Sequence, residues 1–327
     1  MSIFHADLHQ IVFSDTNHGA HFLINAYSAA LTFIAVLLLT GLLAGCSNTN
    51  APSEDPRQDL EAVVEDGGLS EFFIEAKRNA KAEITTIDEI NDLLRPHDRI
   101  YLPEGEGPFA AMLFFHGCSG PTIAHEEDWA SFYNDIGVVL IAVDSYTGRN
   151  IDWEDTCNFT KMTPWERASD VLATVAYARS LDFVDGNNLG ITGFSHGAAT
   201  VWTSLVYAST KTPPINLKEW PEDGLAGVQL ALPFYGGCSE RWTVPIPTIS
   251  FLAGNDRYID AQTCERYHTA NPDMTRYSSY IIFDDATHTF DHSNPNQSNI
   301  DAGSRYDAAA TLTSQGMIAA AISQIMR

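Results

Sequence analysis

Leu189-Gly190-Ile191-Thr192-Gly193-Phe194-Ser195-His196-Gly197-Ala198-Ala199 is the stretch on which the reading of this chain turns. An apolar run enters Gly-x-Ser-x-Gly, and small residues suited to a helix leave it. Such a five-residue motif is a weak signal alone; a strand before it and a helix after it give it meaning. A serine on a sharp strand-to-helix turn sits in strained backbone, and the flanking glycines spare the turn from clashing with its neighbours. The helix N-terminus behind it favours developing negative charge. Ser195 is therefore the candidate nucleophile.

On either side of this stretch the chain alternates. Short apolar runs rich in Val, Ile, Leu and Phe lie at 110–115, 138–143, 189–192, 228–234, 248–252 and 280–283, as expected of strands covered on both faces. Helical patterns occupy 164–179, 198–208 and 306–326. In the first, Thr163-Pro164-Trp165-Glu166 reads as a capping box with proline at the first helical position. Ala168, Val171, Leu172, Val175 and Ala176 then share one helical face. Residues 69–94 mix helical and extended character. Strands alternating with helices predict a single α/β domain, with a mostly parallel sheet of about seven to eight strands and helices on both faces.

A serine hydroxyl is a poor nucleophile until a base takes its proton, so an acid and a histidine should follow in the order Ser, Asp or Glu, His. Asp256 follows the 248–252 run in Ala253-Gly254-Asn255-Asp256, and His288 follows the 280–283 run in Asp284-Asp285-Ala286-Thr287-His288. Both would stand at carboxyl ends of parallel strands, where sites of such sheets gather. Asp260, Asp284 and Asp285 compete for the acid's role, and His268 and His292 for the base's. The first long strand ends in Phe115-His116-Gly117-Cys118-Ser119-Gly120, a glycine-bearing turn able to aim a backbone N–H at a reacting carbonyl. The expected oxyanion donors are the N–H groups of Cys118 and His196. His116 reads as a structural turn residue rather than a second base or metal ligand, because His288 already supplies the base.

These pieces together resemble the dienelactone hydrolase family of α/β-hydrolases. The likeness rests on Tyr101-Leu102-Pro103, His116-Gly117-Cys118-Ser119-Gly120, Val143-Asp144-Ser145-Tyr146, the Ser195 motif, Gly254-Asn255-Asp256 and His288-Thr289-Phe290, and it spans residues 100–325. It implies an α/β-hydrolase fold, a Ser195–Asp256–His288 triad and hydrolysis of a small ester or lactone with no cofactor and no metal. Three positions depart from the family's founding members. Ser195 replaces a cysteine nucleophile, Gly117 replaces an acidic residue, and Asp291-His292 stands where a basic residue follows the histidine. The latter two changes remove groups that handle a carboxylate-bearing lactone. Tyr146 and Arg149 are the candidate substrate contacts, a salt bridge being the competing role for Arg149. Trp153 and Phe159 are candidates for an aromatic acyl site or for lid packing, and segments 147–163 and 210–225 are expected to set the pocket's size. A secreted branch of the family shares the cysteines, and by that likeness the disulfides are Cys118–Cys157 and Cys238–Cys264.

The amino-terminal region reads differently. Residues 29–45 form an almost unbroken apolar run ending at Leu43-Ala44-Gly45-Cys46. This ending resembles the lipobox of bacterial lipoproteins, in which the cysteine is acylated. Residues 1–45 then form a signal peptide, 46–68 a polar tether and 69–327 the folded domain, held to the bilayer of the cell envelope through Cys46 on its extracytoplasmic side. No Lys or Arg occurs in residues 1–45, which departs from the usual basic start; an uncleaved membrane anchor is the alternative. Removing 45 of the 327 residues leaves 282, enough for one sizeable core. With 42 Asp+Glu against 18 Lys+Arg, the net charge of −24 excludes a nucleic-acid partner, which needs a basic face. It also disfavours anionic substrates. Two other function classes share parts of the pattern. A prolyl-oligopeptidase-like peptidase has the same elbow and triad order but usually brings a large extra domain, and an envelope-binding lipoprotein could keep the fold without the chemistry.

Overall fold

The computed structural model describes residues 71–326 apart from Ser239. The expected signal peptide, the lipid-bearing Cys46 and the tether lie outside the described residues. Among those described, no helix is long and apolar enough to cross a membrane.

Seven strands form one sheet in the order β1-β3-β2-β4-β5-β6-β7. They are β1 Arg99–Tyr101, β2 Phe109–Phe115, β3 Val139–Val143, β4 Val184–Phe194, β5 Val228–Phe234, β6 Thr248–Ala253 and β7 Ser278–Phe283. Every pairing is parallel except the edge pair β1–β3. Six strands were expected from their apolar runs. The seventh, β1, is three residues long with a charged residue at its start, too short to show a period. β4 runs longer than its apolar part because its first half, through Asp185 and Asn188, is polar.

The helices are α1 Glu71–Asn79, α2 Ile87–Leu94, α3 Ile123–Asp135, α4 Trp153–Cys157, α5 Pro164–Arg179, α6 His196–Thr210, α7 Ala261–Ala270, α8 Gln297–Asp301 and α9 Ala308–Ile325. Strand residues sort between the two faces by the two-residue period of extended chain. Ala111, Leu113 and Phe115 join Val139, Ile141 and Val143 in a core shared with α2, α5, α6 and α7. Met112 and Phe114 join Leu140 and Ala142 in a core shared with α3 and α9. The register pairs like with like, Leu113 beside Ile141 and Phe114 beside Ala142. Each large side chain so buried stabilises the fold by roughly 1.5–3 kcal/mol.

Helix α5 begins where its sequence signals it, with Thr163 accepting the Glu166 N–H and Pro164 in the first turn. Its buried face differs in part from the expected one. Ala168, Val171, Leu172 and Val175 are buried, but Ala176 is exposed and Ala178 is buried instead. With α2 and α6 packed on either side, α5 also buries Arg167, Ser169, Asp170 and Thr174. Both cysteine pairings expected from the resemblance are present: Cys118–Cys157 and Cys238–Cys264 are disulfides.

Candidate active site

Ser195 stands where β4 turns into α6, with φ 54° and ψ −114°. A non-glycine residue held there costs roughly 1–3 kcal/mol, and the surrounding packing enforces it. A Cβ on Gly193 would lie 2.2 Å from the Gly197 carbonyl oxygen, and one on Gly197 would lie 2.1 Å from that of Phe115. Both glycines are therefore required by contact: the turn is pressed against its own helix and against the end of β2. The Ser195 N–H donates to the Phe234 carbonyl at 3.0 Å, which fixes the elbow to β5.

The next two strands deliver the partners. Asp256 follows β6, and its Oδ1 accepts the N–H groups of Tyr258 at 2.8 Å and Ile259 at 3.1 Å. His288 follows β7. Its Nδ1 donates to Asp256 Oδ2 at 2.7 Å, which leaves Nε2 to accept the Ser195 hydroxyl at 2.9 Å. The carboxylate can only accept, so it selects this tautomer. The imidazole is flanked edge-on by Tyr235 and Tyr258, at ring-centroid distances of 4.8 and 4.9 Å.

The competing residues are engaged elsewhere. Asp260 caps α7 and pairs with Arg266, while Asp284 and Asp285 are exposed to solvent. His268 is buried between the Cys264 carbonyl at 2.8 Å and the Ser278 hydroxyl at 2.7 Å. His292 stacks on His125 with centroids 4.2 Å apart. Burial and then neighbouring His125 push its pKa down to about 4.

Ser195 and His288 open on a cavity of about 400 Å³, whose wall includes Cys118, His196, Trp153 and Phe159. His196 is the first residue of α6 and receives no side-chain cap; its N–H belongs to the first turn, which has no intrahelical acceptor. Cys118 lies on the facing turn after β2, and its carbonyl accepts the Tyr146 hydroxyl at 2.9 Å. The disulfide to Cys157 ties the same turn to α4. His116 and His196 are both buried, and burial holds each imidazole well below its ordinary pKa.

Three expectations about the pocket need correction. Tyr146 is buried with its hydroxyl spent on Cys118, and it does not line the cavity. Arg149 forms a two-pronged pair with buried Asp170, at 2.6 and 3.1 Å, and also donates to the Ser145 carbonyl. It too is absent from the wall, because a buried carboxylate outcompetes a solvated cleft for the guanidinium. Segment 210–225 contributes nothing to the cavity. It links the end of α6 to the start of β5 and so lies at the amino ends of the parallel strands, away from Ser195. The residues after His288 take that place, with Thr289, His292, Asn296 and Asn299 in the wall.

One arrangement has no counterpart in the expectations. Buried Asp291 receives His125 Nε2 at 2.8 Å, Trp129 Nε1 at 2.7 Å and the Tyr235 hydroxyl at 2.8 Å. Burial alone would raise its pKa; the pull of His125 and the three donated bonds overcome this and hold it low. His125 and Trp129 lie one helical turn apart on α3, the only trace of the arrangement in the sequence. Among the described residues, no cluster of three or more His, Cys, Asp or Glu has the geometry to hold a metal ion.

No protein-family profile matches the chain, and no curated protein matches it. Solved structures do. A candidate dienelactone hydrolase from Klebsiella pneumoniae superposes with a TM-score of 0.52 at 16% identity, covering 68% of this chain and 89% of that one. Esterase 2 of Thermogutta terrifontis superposes with a TM-score of 0.51 at 16% identity, covering 69% and 88% respectively. At this identity the likeness establishes the fold, that of the α/β-hydrolases.

Proposed function

We propose that this chain is a serine hydrolase that cleaves a carboxylic ester or lactone through an acyl-enzyme on Ser195. The observation that carries the reading is the unbroken hydrogen-bonded series from Asp256 through His288 to Ser195 at the cavity wall. His288 Nε2 takes the Ser195 proton as Oγ attacks the carbonyl carbon. Asp256 keeps the proton on Nδ1 and stabilises the imidazolium that forms. The N–H groups of Cys118 and His196 receive the oxyanion, a contribution for which single donors are typically worth 10²–10³ in rate. His288 then protonates the departing alkoxide, and water, activated by the same histidine, releases the acid and restores Ser195.

A cavity of about 400 Å³ suits a small molecule. Trp153, Phe159 and Tyr258 in its wall favour an apolar or aromatic group beside the reacting carbonyl. The esterase and the candidate dienelactone hydrolase that share the fold are in keeping with this chemistry. The proposal extends to placement: residues 69–327 work outside the cytoplasmic membrane, behind a signal peptide and a tether acylated at Cys46, as the Leu43-Ala44-Gly45-Cys46 sequence supports. A fluorophosphonate probe tests the chemistry. Wild type should be labelled at Ser195 and Ser195→Ala should not; equal labelling of the two refutes the proposal. Growth with a labelled fatty acid tests the anchor, which is refuted if wild type and Cys46→Ala incorporate equally.

A further inference from the structure

Arg167 is fully buried in α5, yet no carboxylate among the described residues pairs with it. Asp170, three residues on, is taken by Arg149. The guanidinium has neutral partners instead. Nε donates to the Ser145 hydroxyl at 2.9 Å. Nη1 donates to the His116 carbonyl at 2.8 Å and to His196 Nδ1 at 3.2 Å; Nη2 has no hydrogen-bond partner among the described residues, and the guanidinium stands over the Tyr146 ring at 5.8 Å. A guanidinium can only donate, so His196 is neutral with its proton on Nε2. A buried cation without a carboxylate is costly to the fold, so packing alone does not account for it.

The two groups that share Nη1 belong to the two segments that carry the expected donors. His116 opens the turn that carries Cys118, and His196 is the residue after Ser195. The turn is braced further along: the Gly117 carbonyl accepts His116 Nδ1–H at 2.7 Å and the Gly120 N–H at 3.2 Å. That carbonyl shares its peptide with the Cys118 N–H, and two donors on the oxygen orient the amide and polarise it.

We infer that Arg167 is the positioning residue of the oxyanion hole: its Nη1 ties the Cys118-bearing turn to His196, and so sets the spacing of the two N–H donors before substrate arrives. The inference rests on the hydrolase reading above. Arg167 touches no reacting atom. It acts through the His116 carbonyl and the His196 imidazole that it joins, and its fixed charge adds positive potential near the forming oxyanion.

Three measurements on the full chain separate this from a structural role, with Arg167→Met, a neutral side chain of similar reach, and Arg167→Lys. Competent sites are counted with the fluorophosphonate, and kcat and KM are taken on a short activated ester. Affinity is measured for a trifluoromethyl ketone. In that adduct Ser195 Oγ bonds to the ketone carbon, the carbonyl π pair moves onto oxygen, and the serine proton passes to His288. For Arg167→Met, kcat per competent site should fall about 100-fold and KM stay within about threefold, with the ketone weakened in proportion to kcat. Its thermal stability should hold or rise, because replacing a buried charge by an apolar side chain is often neutral or stabilising. Arg167→Lys should recover about tenfold in kcat, having kept the charge but not the fork.

The inference is overturned if kcat of Arg167→Met stays within about threefold of wild type, if ketone affinity does not follow kcat, or if lysine restores nothing. Should Arg167→Met not fold, His196→Leu decides: it removes the acceptor, so kcat must fall at constant KM, and an unchanged kcat overturns the inference. A wild type that takes no fluorophosphonate overturns the hydrolase reading before any variant is made, and this inference with it.

Discussion

Gly197→Ala places one methyl group where the fold has no room. The added Cβ would stand 2.1 Å from the Phe115 carbonyl oxygen and 2.7 Å from that of His116. Ordinary contact begins near 3.4 Å, so β2's end and α6 must separate by about 1.3 Å, and both atoms opposing the methyl are backbone. Overpacking of this kind costs about 1–3 kcal/mol. For a domain of this size that lowers Tm by roughly 2–10 °C. The activity should suffer more. The separation falls between the turn bearing Cys118 and the helix bearing His196, and a misplacement of about 1 Å at reacting groups costs on the order of 100-fold. Scanning calorimetry and steady-state ester hydrolysis read the two effects. A built-in control is Gly316→Ala in α9, whose Cβ meets nothing within 4 Å. There the same substitution should stabilise by about 0.5–1 kcal/mol, because alanine suits a helix interior better than glycine. Gly197→Ala with Tm and kcat both at wild-type values would refute the packing argument for the elbow.

Removing either disulfide as a Cys→Ser pair should cost about 4 kcal/mol in chain-entropy terms, since the bridges span 39 and 26 residues. Urea denaturation checks this, and Cys118→Ser/Cys157→Ser should also slow turnover because it frees the Cys118 turn. His292 bears on acid stability. Its folded pKa of about 4 lies below the ordinary 6.5, so between these values the unfolded chain binds the extra proton and stability falls as pH falls. The loss approaches about 3 kcal/mol at the lower end, and comparing denaturation at pH 7 and pH 4.5 should find it reduced in His292→Phe. Tyr235→Phe removes one of three donors to buried Asp291 and should destabilise by about 1.5–3 kcal/mol; an unchanged urea midpoint would contradict the role given to that bond.

The inner strands β2 to β6 are legible because their apolar parts are buried on both faces and so appear as continuous runs, while the partly exposed edge strand β7 is legible only from its short run at 280–283. The other edge strand, Arg99–Tyr101, is not, since three partly exposed residues carry no period. Ser195, Asp256 and His288 could be found for a topological reason. In a parallel sheet each strand's carboxyl end opens on the same side, so residues distant in sequence but equivalent in position converge. Side-chain pairings across elements had no such guide. Of the two roles open to Arg149 the salt bridge is the one it takes, but nothing in its own segment announces the partner: Asp170 lies on α5 and meets it only when α5 packs. The same holds for Arg167 and Asp291: the groups that each one binds come from other elements, and nothing in the neighbouring sequence announces them. Whether a loop reaches the pocket depends on the end of the sheet from which it leaves. Segment 210–225 precedes a strand, whereas the stretch from Thr289 to Asn299 follows one.

The central claim is that Ser195 carries the acyl group. Rapid acid quench of the protein with an activated acetate ester, followed by intact-mass and peptide mass spectrometry, tests it directly. The account predicts a mass gain of one acetyl group on the peptide containing Ser195, lost with time as water completes the cycle, and absent in Ser195→Ala. An acetyl group found on another residue, or hydrolysis undiminished in Ser195→Ala, would contradict it.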